Sequence, residues 1–114
     1  MGVYNFAFPV LAGKEEEACK FAKEAVGSHA EHYTSLMNAS GTTRVTWTLQ
    51  QTPAGSFILV WFEANEVHKI FEILATRTGE DADWMRGRIK DVGGADMREP
   101  MPGPEPELIM QWPA

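Results

Sequence analysis

The sequence TRVTWTLQQTPAGSFILVWFE, residues 43–63, predicts two antiparallel strands joined by a tight turn. In residues 43–51, the apolar side chains Val45, Trp47 and Leu49 alternate with polar ones, as expected of a strand with one buried face. The Thr-Pro-Ala-Gly segment that follows is typical of a turn. Residues 56–63 form a continuous apolar run, which indicates a central strand that is covered on both faces.

Further elements flank this hairpin on both sides. The pattern predicts a strand at 3–11, a helix at 15–40, helices at 66–77 and 81–92, and a last strand at 108–112. Gly27 and Ser28 mark a kink or break within the first helix, and Asn65 is a candidate cap for the second. Four of the seven prolines fall in residues 98–106, which we interpret as an extended connector.

The order of these elements is β-α-β-β-α-β, the ferredoxin-like arrangement of the α+β class. It predicts a four-stranded antiparallel sheet with the helices on one face. The strands at 3–11 and 56–63 are apolar on both faces, although the helices can cover only one. We therefore expect the other face to pack against a second copy of the chain, with the polar side chains of Arg44 and Thr46 at a partly hydrated seam.

Length and composition limit the function classes. The 114 residues predict a single domain, 1–114. A net charge of −6 with scattered basic residues argues against nucleic-acid binding. No run approaches the ~20 apolar residues of a membrane span, and the first residues lack the pattern of a signal peptide, so we expect a cytoplasmic protein of a bacterium-like cell. The single cysteine, Cys19, excludes an internal disulfide and a cysteine-based zinc site. No metal or cofactor is predicted.

Several segments carry a resemblance that spans nearly the whole chain. They are VYNFAFPVLAGK at 3–14, WTLQQTPAGSF at 47–57, VWFEA at 60–64 and PGPEPEL at 102–108. They resemble a small bacterial family of unknown function within the dimeric α+β barrel superfamily, which includes antibiotic-biosynthesis-monooxygenase-like proteins. Members of that superfamily include cofactor-free oxygenases, haem-degrading oxygenases, isomerases, dehydratases and proteins without known activity, so the resemblance implies a fold and leaves the function open.

His29 and His32 are the most unusual residues of the first helix. At about 100° per residue they share the apolar face with Phe21 and Leu36, so both imidazoles should point towards the sheet. They are our candidate catalytic residues, at a pocket wall, as a general base or as a haem or metal ligand. The alternative is that both are half-buried structural histidines, or that the helix turns after Gly27 and both reach solvent. His-x-x-His alone is weak evidence for a metal.

The candidate ligand-binding residues are Asn5, Tyr33, Arg44, Trp47, Trp61, His68 and Trp84. Haem-degrading members of the superfamily use an Asn on the first strand, a Trp on the third and a His on the next helix. The resemblance therefore points to Asn5, Trp61 and His68, although His68 follows Trp61 more closely than that pattern implies. The aromatic side chains can wall a pocket for a flat hydrophobic molecule, or can simply fill the core and the dimer seam.

Two function classes follow. The first is a homodimeric protein that binds a small hydrophobic or aromatic ligand without catalysis. The alternative is a cofactor-independent monooxygenase or isomerase acting on a small aromatic or polyketide-like substrate, with His29 or His32 as the base. A haem-binding or haem-degrading oxygenase is a less favoured third hypothesis. No carboxylate partner for the histidines stands on the local helix face, which favours binding over catalysis.

Overall fold

The computed structural model describes residues 1–101 and 103–113, which form an α+β fold. The elements are β1 (Gly2–Val10), α1 (Glu15–Ala25), α2 (Ala30–Ser40), β2 (Thr42–Thr52), β3 (Gly55–Ala64), α3 (Lys69–Thr76) and α4 (Glu80–Gly93). The three strands pair antiparallel in the order β1-β3-β2. The continuous apolar segment thus lies at the centre of the sheet, as the sequence predicts. Among the described residues, none of the helices is long and apolar enough to cross a membrane.

The sheet has one face against the helices and one face that no described element covers. Phe8 and Ile58 are buried with apolar residues of the helices, and Phe62 on the same face is buried beside Phe71 of α3. Their strand neighbours alternate to the opposite side, because successive side chains of a strand point to opposite faces. We call this second side the outer face. It consists of Val3, Asn5, Ala7, Pro9, Arg44, Thr46, Thr48, Gln50, Phe57, Leu59, Trp61 and Glu63.

The helix predicted over 15–40 breaks where its sequence indicated. The α-helix α1 ends at Ala25, residues 26–29 form a turn, and α2 begins at Ala30. Within the turn, the backbone N–H of His29 donates to the Glu24 carbonyl at 2.8 Å, so the chain closes tightly before it restarts. Gly41, with φ of 70°, ends α2 in a left-handed conformation that favours glycine.

The second helical section is also divided, but its first helix starts later than predicted. The α-helix α3 begins at Lys69, and His68 precedes it without a side-chain cap; the predicted cap at Asn65 does not form. Gly79, with φ of 124°, separates α3 from α4. At the other end of α4, a Cβ on Gly93 would lie 2.4 Å from Cζ of Phe8, so this helix approaches β1 more closely than a larger residue allows.

The predicted fourth strand at 108–112 is not formed in the single chain. These residues belong to no strand, and most of their side chains are exposed. The chain leaves α4 beside the end of β1, where the N–H of Leu11 donates to the Val92 carbonyl. It reaches the start of β1 at Glu105, which bonds His68 next to Tyr4. Between Val92 and Glu105 the chain has therefore moved from the end of β1 to its start, and the sequence pattern alone does not show this.

Candidate functional site

A cavity of about 80 Å³ lies between the sheet and the helices. Aromatic side chains form much of its wall: Phe6, Phe8, Phe21, Tyr33, Trp47, Phe62 and Phe71. The rest of its lining is Met37, Thr42, Val45, Ile58, Val60, Ile70, Leu74, Met85, Ile89, Met97 and Met101. Among the described residues, no charged side chain lines this space. Its chemistry suits an uncharged, mainly apolar guest, because a charge would lose its hydration without finding a partner.

Three of the lining residues carry polar side-chain atoms: Tyr33 on α2, and Trp47 and Thr42 on β2. The Tyr33 ring stands edge-on to the Trp47 ring, with 5.6 Å between centroids and an angle of 89°. Burial raises the pKa of the Tyr33 hydroxyl, and hydrogen bonding with the Trp47 side chain opposes that rise only in part. Tyr33 is therefore a neutral phenol at physiological pH, able to donate a hydrogen bond but unsuited to act as a base.

The Thr42 hydroxyl supplies the complementary group. Its oxygen lies 2.8 Å from the Ser40 hydroxyl, which donates to the Met37 carbonyl at 3.1 Å. Because the Ser40 proton is used on that carbonyl, the Thr42 hydroxyl donates to Ser40 and keeps lone pairs free. The lining thus includes the side chains of Tyr33, Trp47 and Thr42 among otherwise apolar residues, and the surface of the cavity is almost wholly apolar. Such a composition is typical of sites that orient a hydrophobic ligand with few polar contacts.

Methionines supply the adaptable part of the wall. Four of the six in the chain line the cavity, from α2 (Met37), α4 (Met85) and the connector after α4 (Met97 and Met101). Met97 is buried, whereas Met101 is 50% exposed and borders the opening. A thioether chain with three rotatable bonds changes shape at low cost, so this wall can yield to a guest larger than the resting space.

The candidate catalytic pair lies outside this cavity. The His29 ring stacks on Trp84 of α4, with 4.8 Å between centroids and 6° between planes, and His32 lies 5.6 Å from His29. Ser28 lies within hydrogen-bond distance of Nδ1 of His29, and Glu80 is 3.9 Å from Nε2 of His32. The chain direction after the break before α2 brings both rings against Trp84 of α4. Their catalytic role stays a prediction.

Two buried nitrogens of this stack have no partner within the described part of the chain: Nδ1 of His32 and Nε1 of Trp84. Both rings are amphipathic, and His32 remains about one-third exposed. The stacked rings pack the start of α2 against α4, a contact compatible with the structural alternative for these histidines. Across residues 1–101 and 103–113, no group of three or more His, Cys, Asp or Glu side chains is placed to hold a metal ion.

The remaining candidate residues divide between the two sides of the sheet. Asn5 and Trp61 face each other across β1 and β3 on the outer face, and the Arg44 guanidinium lies 5.5 Å from the Trp61 ring centre. His68 lies on the helix side, 5.6 Å from the Tyr4 ring, and pairs with Glu105 at 2.8 Å. Asn5, Trp61 and His68 therefore do not converge on one pocket as the haem hypothesis requires.

Of the nine predicted site residues, the structure brings only Tyr33 and Trp47 into the cavity. Sequence reasoning missed the methionines and Val60. A usable signal existed for Met37, which lies one helical turn after Tyr33 on the same face of α2. No such signal existed for Met97 and Met101, because they lie in irregular chain whose path depends on tertiary contacts.

Comparisons of the chain with protein-family models, with curated proteins and with solved structures find no match. The cavity and the surfaces of the fold therefore carry the functional argument.

Proposed function

We propose that this protein binds a small, uncharged apolar or aromatic molecule in the cavity between its sheet and helices. The observation that carries the proposal is the wall itself: seven aromatic rings and four methionines around a space whose polar groups come from Tyr33, Trp47 and Thr42. A well-packed interior holds few voids larger than a water molecule. A larger apolar space with a few polar residues in its lining is typical of a site for a small hydrophobic ligand.

The size of the cavity sets the ligand class. At about 80 Å³ it is smaller than the ~150 Å³ of an engineered apolar cavity that admits benzene. A single ring therefore enters only if the wall gives way, and Met37 and Met101 are the side chains best suited to move. A carbonyl on the ring can then accept a hydrogen bond from Tyr33, and a hydroxyl on the ring can donate one to Thr42. Carboxylates and ammonium groups are excluded by their desolvation.

We further propose that the protein is a homodimer of the dimeric α+β barrel type, packed through the outer face. The three-stranded sheet is compatible with a ferredoxin-like core. Val3 and Leu59 are exposed large apolar residues on that face, and Trp61 adds an aromatic ring beside them. An apolar strip bordered by Arg44 and Glu63 is typical of a protein–protein contact, and a two-fold axis would pair each strip with its own copy.

Catalysis is less well supported than binding. A cofactor-independent monooxygenase or isomerase needs a base within hydrogen-bond reach of its substrate. His29 and His32 stack on Trp84 outside the cavity, and Tyr33 stays protonated. The enzymatic alternative thus lacks a base at the place where a ligand would lie. The haem alternative lacks the convergence of Asn5, Trp61 and His68.

A pair of matched variants tests the binding proposal with fluorobenzene as the probe. Val60→Phe adds a ring inside the cavity, whereas Leu59→Phe, one residue away on β3, adds the same ring to the outer face. Binding is measured by broadening of the ¹⁹F signal of fluorobenzene as protein is added. We expect binding to the parent and to Leu59→Phe, and at least a tenfold loss for Val60→Phe.

A third variant is needed because Val60→Phe could lose binding by misfolding, since overpacking can cost ~1–3 kcal/mol of stability. Val60→Ala enlarges the cavity and should bind fluorobenzene more tightly than the parent, at the cost of a lower melting temperature. Equal binding by all four proteins would place the probe outside the cavity. Absence of binding to both the parent and Val60→Ala would refute the proposal.

A further inference from the structure

The last residues before Pro113 form an exposed apolar segment. We define the C-terminal arm as residues 107–112, Glu-Leu-Ile-Met-Gln-Trp. Leu108, Ile109, Met110 and Trp112 are 73%, 87%, 75% and 87% exposed. Single exposed apolar side chains are ordinary, but four within five residues are not. An arm of this composition needs a partner surface.

The free edge of β1 has the chemistry to receive it. In the described residues, β1 pairs with β3 on one side only, so alternate backbone N–H and C=O groups point outward without a strand partner. The inner face of β1 is also incompletely covered near this edge. Phe8 and Val10 are buried, whereas Tyr4 and Phe6 at the other end are only half-buried. One more strand would satisfy the backbone and cover these two rings.

The connector that runs along β1 in the same chain cannot be that strand. Pro100, Pro104 and Pro106 have no N–H to donate, and prolines at this density exclude a strand ladder. By Glu105 the chain already lies beside His68 and Tyr4, at the start of β1. An antiparallel partner of β1 must run from Val10 towards Gly2, so the arm of the same chain begins where such a strand should end.

We propose that the C-terminal arm adds as a fourth, antiparallel strand to the β1 edge of a second copy of this chain, and that the arm of the second copy adds to the β1 edge of the first in the same way. The inference rests on the proposed homodimer and gives it a second contact. In a symmetric exchange both arms and both β1 edges are paired. No arm or edge remains to bind a third chain, so the assembly is a closed dimer. A register that sets Trp112 against Tyr4 and Met110 against Phe6 places these two side chains beside the half-buried rings and sets Leu108 against Phe8.

This register makes a direct cross-linking test possible. Antiparallel pairing then places Ile109 of one copy opposite Ala7 of the other, both on the outer side of the sheet. In a Cys19→Ser background, chains with Ala7→Cys are mixed with chains with Ile109→Cys and treated with a short, flexible bismaleimide. We expect a cross-linked heterodimer on a denaturing gel, and far less product when either chain is treated alone.

The double variant, Ala7→Cys with Ile109→Cys on one chain, distinguishes exchange from folding back. Exchange gives cross-linked dimers, whereas an arm on its own β1 edge gives a cross-linked monomer of altered mobility. Cross-linked monomer, or no product in the mixed sample, would overturn the proposal.

Sedimentation equilibrium of the full chain separates this proposal from the homodimer on which it rests. Removal of residues 107–114, or Met110→Pro in the middle of the arm, should weaken dimerisation at least tenfold. Glu107→Pro, at the start of the arm, is the matched control and should leave it within twofold. If the full chain and the truncated chain dimerise equally tightly, the exchange is refuted and the proposed homodimer is retained. A full chain that stays monomeric at micromolar concentration refutes both.

Discussion

At the scale of single residues, the burial of Tyr33 can be predicted from the sequence, whereas the directions of the His29 and His32 rings cannot. The place of Tyr33 on the apolar face of α2 predicts burial, and the aromatic pattern predicts that it and Trp47 share a pocket wall. Both expectations agree with the cavity. The same reasoning misplaces the rings of His29 and His32, because their direction depends on four residues, 26–29, whose turn geometry the helical periodicity does not encode.

The buried phenol gives the protein a distinctive alkaline response. The pKa of Tyr33 in the folded protein is raised by burial above its unfolded value of about 10. Its stabilising effect is therefore fully present below pH ~10 and is lost as the pH rises above that value, because only the unfolded chain then ionises readily. Tyr33→Phe should lose less unfolding free energy than the parent between pH 10 and 12.

Urea unfolding at several pH values measures this difference, and Tyr4→Phe is the control. The pKa of Tyr4 is also raised, by burial and then by the negative charge of Glu105, but its ring is only half-buried. Absorbance of tyrosinate should show one of the two tyrosines titrating only with unfolding. If the parent and Tyr33→Phe lose stability in parallel above pH 10, the phenol is accessible to solvent and the described wall is incorrect.

At the scale of elements, the hairpin, the first strand and the division of both helical sections can be predicted from the sequence. Each rests on local signals: alternation, a continuous apolar run, or a glycine at a boundary. The fourth strand cannot be predicted from the sequence, because a strand forms only where the edge of another strand accepts its hydrogen bonds. The pattern of residues 108–112 is that of a strand, but the chain reaches the start of β1 by Glu105, where an antiparallel partner of its own β1 should end.

Alanine substitutions at two glycines of α4 should change the unfolding free energy in opposite directions. A Cβ on Gly93 would lie 2.4 Å from Phe8 and 2.7 Å from the Pro9 carbonyl, whereas nothing lies within 4 Å of a Cβ on Gly87. Gly93→Ala must push α4 away from β1 and should lower the unfolding free energy by ~1–3 kcal/mol. Gly87→Ala should raise it by ~0.5–1 kcal/mol, because alanine favours the helix.

Denaturant midpoints of the two variants check this pair directly. Because both changes add one methyl group to the same helix, their difference reports the contact of α4 with β1 and not helix propensity. Equal midpoints would mean that α4 is not held against the end of β1, and the cavity beneath it would then be shaped differently.

At the scale of the whole molecule, the sequence indicates an uncovered apolar sheet face, and the structure shows that face bare in the single chain. The sequence of one chain does not identify the partner that covers this face, because the contact involves a second molecule. Leu59→Glu tests the proposed homodimer, since it places a charge at the centre of the outer face, where burial would strip its hydration. We expect at least a tenfold weaker dimer by sedimentation equilibrium.

Thr34→Glu, an exposed position on α2, is the control for added charge and should dimerise as the parent does. Leu59 lies on the opposite side of β3 from the cavity, so fluorobenzene binding should survive in Leu59→Glu. A Leu59→Glu protein that remains as dimeric as the parent would remove the outer face from the interface.

The central claim, that the space between sheet and helices is a ligand site, is tested most directly by the position of a bound probe. Nuclear Overhauser effects between the ring protons of fluorobenzene and methyl groups of the protein locate it. The account predicts contacts to the methyls of Val60 and Met37, which line the cavity. Contacts to Leu59 on the outer face without any to Val60 and Met37 would contradict it.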